Sequence, residues 1–248
     1  MANSNGDDEP PDVFSRLRDH EAREIEEARK KFQWRYSTLN NDFSDLMRLG
    51  SLHVAPSNDA NERLREQGYV FEVERRLHHF LSGLYTLLEV HKTIQDGVGR
   101  EYRNEISEIE DTFRGMESSR TLLGLRHYVQ HENVLPLQPR TSTVEGESEL
   151  VVLLDDLEMQ EDYQDGFEAH YGHLEKPYCV PINEIETNWP HVEDFFDETI
   201  ELLNTEFEPE FGEYEGLQEH VESLTEELHE ELLSDDPFGE EFSPFSEE

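Results

Sequence analysis

Arg126, His127 and His131 stand within two helical turns in the run Leu-Arg-His-Tyr-Val-Gln-His that begins at Leu125. Arginine keeps its charge at every working pH, and its planar fork matches phosphate oxygens. Histidine titrates near neutrality, so of two rings one can be neutral while the other is protonated. The chemistry open to such a trio is cleavage of RNA without a metal. A neutral imidazole removes the proton from a ribose 2′-hydroxyl, and the 2′-oxygen attacks the adjacent phosphorus. A protonated imidazole, from the same or a second protomer, donates to the leaving oxygen. Arg126 would stabilise the negative charge that builds on the phosphorane-like transition state.

These residues need a helix to hold them. At about 100° per residue, Leu122, Leu125 and Val129 share one face and form a core stripe. Arg126 flanks that stripe, and His127 and His131 point away from it, one turn apart. Leu123 falls on the histidine side, which suggests that a second protomer covers this face as well. Pro136 stops the helix, and His131 sits in its last turn, where the carbonyl ends favour a protonated ring.

An arginine separated from a histidine by four to six residues is a short pattern that recurs here, at Arg48 and His53 and at Arg120 and His127. The neighbours carry more information. With His127 directly after Arg126, and Leu-Pro-Leu after the run, the segment from Leu125 to Leu137 resembles the Arg-x4–6-His motif of the HEPN superfamily. The resemblance extends loosely over the helices of 60–135. It implies a small helical bundle whose motif lines a cleft between two protomers. It also implies a metal-independent endoribonuclease of a toxin–antitoxin or other defence system, without cofactors. Arg126, His127 and His131 would be its catalytic residues, RNA its candidate substrate and a homodimer its expected state. Arg114 and Arg120, with only Glu117 among the three arginines as an acid, would supply basic contacts to that substrate.

The rest of the chain is acidic. In 248 residues, 60 Asp and Glu face 20 Lys and Arg, for a formal charge of −40. Only Lys30, Lys31, Lys92 and Lys176 are lysines. Such a surface repels itself at low ionic strength but is tolerated in molar salt, where the Debye length falls to about 3 Å. We therefore expect a folded protein of a halophile. The charge is uneven: residues 1–140 carry a net −6, and residues 141–248, whose one base is Lys176, carry −34. The near-neutral half is the one that could accept an anion or a partner.

One cysteine, Cys179, rules out an intrachain disulfide and reads as a small buried hydrophobe. The N-terminus lacks the basic and apolar regions of a signal peptide, and no apolar run approaches the roughly 18 residues of a membrane span. A cytoplasmic location, with no membrane partner, is the expectation. His170, His173 and Cys179, with Asp165 or Glu168, match no standard zinc spacing, so no metal site is expected.

Residues 1–11 read as a disordered N-terminus, and 12–140 as a HEPN-like helical core. Its helices run from about 12 to 49, from 60 to 96 and from 100 to 133, the last interrupted near Gly115. Leu77, Phe80, Leu81, Leu84, Leu87, Leu88 and Ile94 form the strongest core stripe. His91 lies in register with them as a hydrogen-bonded core residue. Residues 141–154 change to strand character around a turn at Glu145-Gly146. Two helices follow, one starting near Trp189-Pro190 and one over 214–233. Residues 141–233 thus form an acidic β-hairpin plus C-terminal helices packing on the core, and 234–248 a disordered acidic tail. The expected fold is mainly α, a helical bundle with a small β-hairpin insertion before the last two helices. Two further functions fit this organisation. One is a non-catalytic helical interaction protein that binds a protein partner through the cleft or the acidic half. The other is an acidic nucleic-acid mimic that occupies a basic partner.

Overall fold

The computed structural model describes residues 12–50, 60–132, 134–141, 148–158 and 164–234. The expected disordered ends, at 1–11 and over most of 234–248, and the expected turn at Glu145-Gly146 lie outside these residues. The fold is mainly α, with a small antiparallel sheet. In order it runs α1 (Val13–Arg18), α2 (Arg23–Gly50), α3 (Ala60–Gly97), α4 (Arg100–Gly115), α5 (Glu117–Glu132), β1 (Leu137–Thr141), β2 (Ser148–Leu153), α6 (Leu154–Glu158), α7 (Gln164–Tyr171), β3 (Tyr178–Cys179) and α8 (Pro181–Ser234). The chain divides into two compact units, Glu27–Leu203 and Met1–Glu26 with Asn204–Glu248.

The larger unit is a helical bundle organised by aromatic rings. Phe32 of α2 meets Phe195 and Phe196 of α8 with ring centroids 5.8 and 5.5 Å apart. Trp189 of α8 lies parallel to Phe43 of α2 at 4.1 Å and reaches Phe80 of α3 at 6.5 Å. Phe113 of α4 joins Phe195 at 5.1 Å. Around these rings the α3 stripe is fully buried, from Leu77 through Leu88 to Ile94. Arg76 of α3 pairs with Asp45 of α2 and with Glu72, so the apolar seam between the two helices has a charged clasp at its edge.

His91 is fully buried, and its Nδ1 lies 3.1 Å from Glu110 on α4. The other Glu110 oxygen accepts from Arg114 Nε at 2.5 Å. Burial pushes the Glu110 carboxyl up, but the hydrogen bonds from His91 and Arg114 outweigh it and hold the group below its ordinary 4.5. A carboxyl held low in the folded state stabilises the fold fully above its unfolded value, and that contribution is lost as pH falls through the folded value. The urea midpoint of the parent should therefore exceed that of Glu110→Gln by a margin that shrinks from about pH 6 to about pH 3, the range set by ordinary carboxyl titration.

Three expectations change on inspection of the structure. The first helix breaks at 19–22 into α1 and α2, where Asp19 caps α1 and its carboxylate pairs with Arg18. The expected β-hairpin is present as β1 and β2, paired antiparallel, and β3 extends it to a three-stranded sheet, order β1-β2-β3. Its first strand begins at Leu137, inside the segment expected to be only a helix stop. Pro139 fits there because β1 is an edge strand, so the missing N–H breaks no interior ladder. The two C-terminal helices are a single α8 that begins at Pro181, where proline is suited to the first helical position. Pro190 and Pro209 lie inside it. Both are exposed, as are Glu186 and Thr205 four residues earlier, so the carbonyls they leave unbonded can be hydrated.

Candidate functional site

Helix α5 starts on a polar layer. Ser118, Ser119 and Thr121 are buried at its first turn, and the Asn188 amide of α8 donates to both serine hydroxyls, at 3.2 and 2.6 Å. The Thr121 hydroxyl donates to the Glu117 carbonyl and lies 3.0 Å from His173 Nε2, so the ring N–H of His173 points at the hydroxyl oxygen. Burial, and then the nearby Arg120 cation, push the His173 ring below its ordinary value, with Glu117 acting in the opposite sense. His170 Nδ1 donates to the Arg120 carbonyl at 2.9 Å. His170 and His173, which match no standard zinc spacing in the sequence, thus fasten α7 and the turn after it to α5. No group of three or more His, Cys, Asp or Glu that could hold a metal occurs among the described residues. Cys179 is buried in β3, and burial together with Glu184 pushes its thiol up to about 12. It is therefore a packing residue and not a nucleophile.

Gly124 is what lets α7 approach. A Cβ at this position would stand 2.8 Å from the His170 Cβ and 2.7 Å from the Tyr171 hydroxyl. Neither neighbour is the free end of a flexible chain, since Tyr171 is buried. Gly124→Ala should therefore destabilise the fold by about 1–3 kcal/mol through overpacking, although alanine is the better helix former. Thermal unfolding of the variant beside the parent measures this.

Past Gly124, α5 buries Leu125, Tyr128 and Val129. Arg126 is half-buried against α3. Its guanidinium lies 4.5 Å from the centroid of the Tyr85 ring, and Nη1 donates to Gln130 Oε1 at 2.8 Å. Arg126 Nε is buried and finds no hydrogen-bond partner among the described residues. His127 is exposed beside it, and Leu123 is half-buried. His131 occupies the last turn of α5, but its side chain lies outside the described residues. The structure does not bring the other two arginines to this place. Arg114 is on α4, bonded to Glu110, and Arg120 is at the start of α5, where its charge acts on His173.

Tyr85 is the site residue that sequence reasoning missed. It lies 41 positions before Arg126, on another helix, and no local pattern links the two. One sign was available: it is a large ring on α3 outside the buried stripe, and it remains 37 % exposed. What the arrangement offers is a cation held by an aromatic face and an amide, next to an exposed imidazole. Compared with family models, with curated proteins and with solved structures, the chain matches none.

Proposed function

We propose that the protein is a HEPN-like, metal-independent endoribonuclease that cuts RNA by 2′-hydroxyl attack on the adjacent phosphorus. The observation that carries this reading is the posture of Arg126. A guanidinium fixed between the Tyr85 ring and the Gln130 amide, beside exposed His127, is oriented before any substrate arrives. Preorganised charge of this kind acts on a transition state without reorganising during the reaction. In this reading His127 and His131 share the acid and base roles, a second copy contributes the opposing wall of the cleft, and Arg114 and Arg120 do not touch the scissile phosphate.

The test is an RNA-cleavage assay in high KCl with EDTA present. Single-stranded RNA should be cut, and the products should end in 2′,3′-cyclic phosphate. Cleavage that needs an added divalent ion, or that leaves 3′-hydroxyl ends, overturns the reading.

A second reading is a non-catalytic helical interaction protein. It is favoured by the same arginine, because a guanidinium that already has a ring and an amide partner can serve as a helix-packing residue. Under this reading the purified protein leaves RNA intact at every salt concentration.

A further inference from the structure

The smaller unit ends in an apolar seam that runs on beyond its cover. On α8, Tyr214, Val221 and Leu228 recur every seventh residue, with Leu217 and Leu224 between them. This is the a and d spacing of a helix that packs along another helix. At the start of the seam the cover is present. Tyr214 and Leu217 are buried, and the Tyr214 ring meets His20 at a centroid distance of 5.5 Å. Further along it is not. Val221 and Leu224 are part-exposed and Leu228 is 54 % exposed, so among the described residues nothing completes the face.

Charge decides what could complete it. From Asn204 to Ser234 the sequence has eleven glutamates and no Lys or Arg. Glu213 and Glu227 each directly precede a seam residue, where the flanking charges of a partner helix would reach. A second copy would place glutamates against glutamates. The chain's own undescribed segments, 1–11, 51–59, 133, 142–147, 159–163 and 235–248, contain no Lys or Arg at all, so none of them is a complementary occupant.

A cavity of about 390 Å³ adjoins the same face, lined by Asp19, Glu21, Glu210, Glu213 and Leu217. Its lining also includes Arg16, 4.0 Å from Glu213, and His20. The four carboxylates outnumber the two guanidiniums that reach them, Arg16 at Glu213 and Arg18 at Asp19, and Leu217 belongs both to the cavity and to the seam. The cavity is therefore placed to take a lysine or arginine side chain from whatever lies along the seam.

We propose that α8 from Leu217 to Leu228 docks a basic amphipathic helix of a partner protein. The apolar face of that helix lies on Val221, Leu224 and Leu228, and its cations lie beside Glu213, Glu227 and the carboxylates of the cavity. The proposal uses none of the residues around Arg126, and the docking does not depend on catalysis there.

The experiment uses the full chain and synthetic helical peptides of about four heptads. One peptide has leucine at a and d with Lys and Arg at the flanks, a second has the same seam with Glu at the flanks, and a third has the basic flanks with a serine seam. Fluorescence anisotropy should show binding of the first peptide only. Leu224→Glu with Leu228→Glu should weaken it by about tenfold or more, even though both substitutions add negative charge. That sign separates seam docking from general attraction to an acidic protein, which added carboxylates would leave equal or stronger. Both substitutions are at exposed or part-exposed positions, so folding is not at stake. Equal binding by the double variant overturns the proposal. So does equal binding of the Glu-flanked or serine-seam peptide, or failure of the first peptide to bind. A dimer in sedimentation that the double variant dissolves also overturns it, because a second copy would then be the occupant.

Discussion

Replacing Trp189 by alanine is expected to cost about 3–5 kcal/mol, the usual penalty for removing a large buried aromatic side chain. Trp189 is 7 % exposed and lies parallel to Phe43 at 4.1 Å, with Tyr36 at 6.0 Å and Phe80 at 6.5 Å. It therefore joins α2, α3 and α8 at one point, and each of those helices loses contacts when the indole goes. The cavity left behind cannot close by a side-chain shift on one helix alone. In a unit of this size the melting temperature should fall on the order of 10 °C. The comparison needs the same salt for both proteins, because a chain of net charge −40 gains stability from screening. A melting temperature within a degree or two of the parent would mean that the aromatic spine does not bear the stability of the bundle.

Some of this fold is legible in the sequence, and the reasons differ by element. The core face of α3 is plain because its leucines keep helical spacing over five turns and Gly97 and Gly99 end them. The break between α4 and α5 is legible from Gly115. The start of α8 is not, because two signals compete. Pro181, Ile185, Trp189, Val192 and Phe195 do keep helical spacing, but a polar Asn188 interrupts the apolar register and Pro190 imitates a first turn. Asn188 is at a core position because Ser118 and Ser119 accept its amide, a pairing across 69 and 70 residues that no window on the sequence contains. Helix α7 is hidden for a related reason. It is short, and what holds it is the absence of a side chain at Gly124. At the site, Arg126 and His127 are visible from local spacing, and Tyr85 is not. Sequence periodicity shows which face of a helix is apolar. It does not show which ring from another helix meets an arginine at the edge of that face.

Arg126→Ala is the second substitution with a large expected effect. If Arg126 stabilises the transition state, its loss should lower kcat by about 10²–10³-fold, as removal of one preorganised donor does elsewhere. The fold should barely respond, since a cation–π contact at a half-exposed ring is worth about 0.5–1 kcal/mol. That contrast separates a catalytic residue from a packing residue. Arg126→Lys keeps the charge but loses the planar fork that lies against Tyr85, so only part of the rate should return. Tyr85→Leu tests positioning. It leaves Arg126 in place chemically but removes the ring that orients it, and about tenfold of the rate should go, with the pH profile near neutrality unmoved because both histidines remain. His127→Ala and His131→Ala should instead alter the pH profile, each removing the limb that its ring controls. Unchanged cleavage in Arg126→Ala would remove this arginine from the chemistry. With cleavage also unchanged in the two histidine variants, the activity would belong to another part of the chain and α5 would be a packing helix.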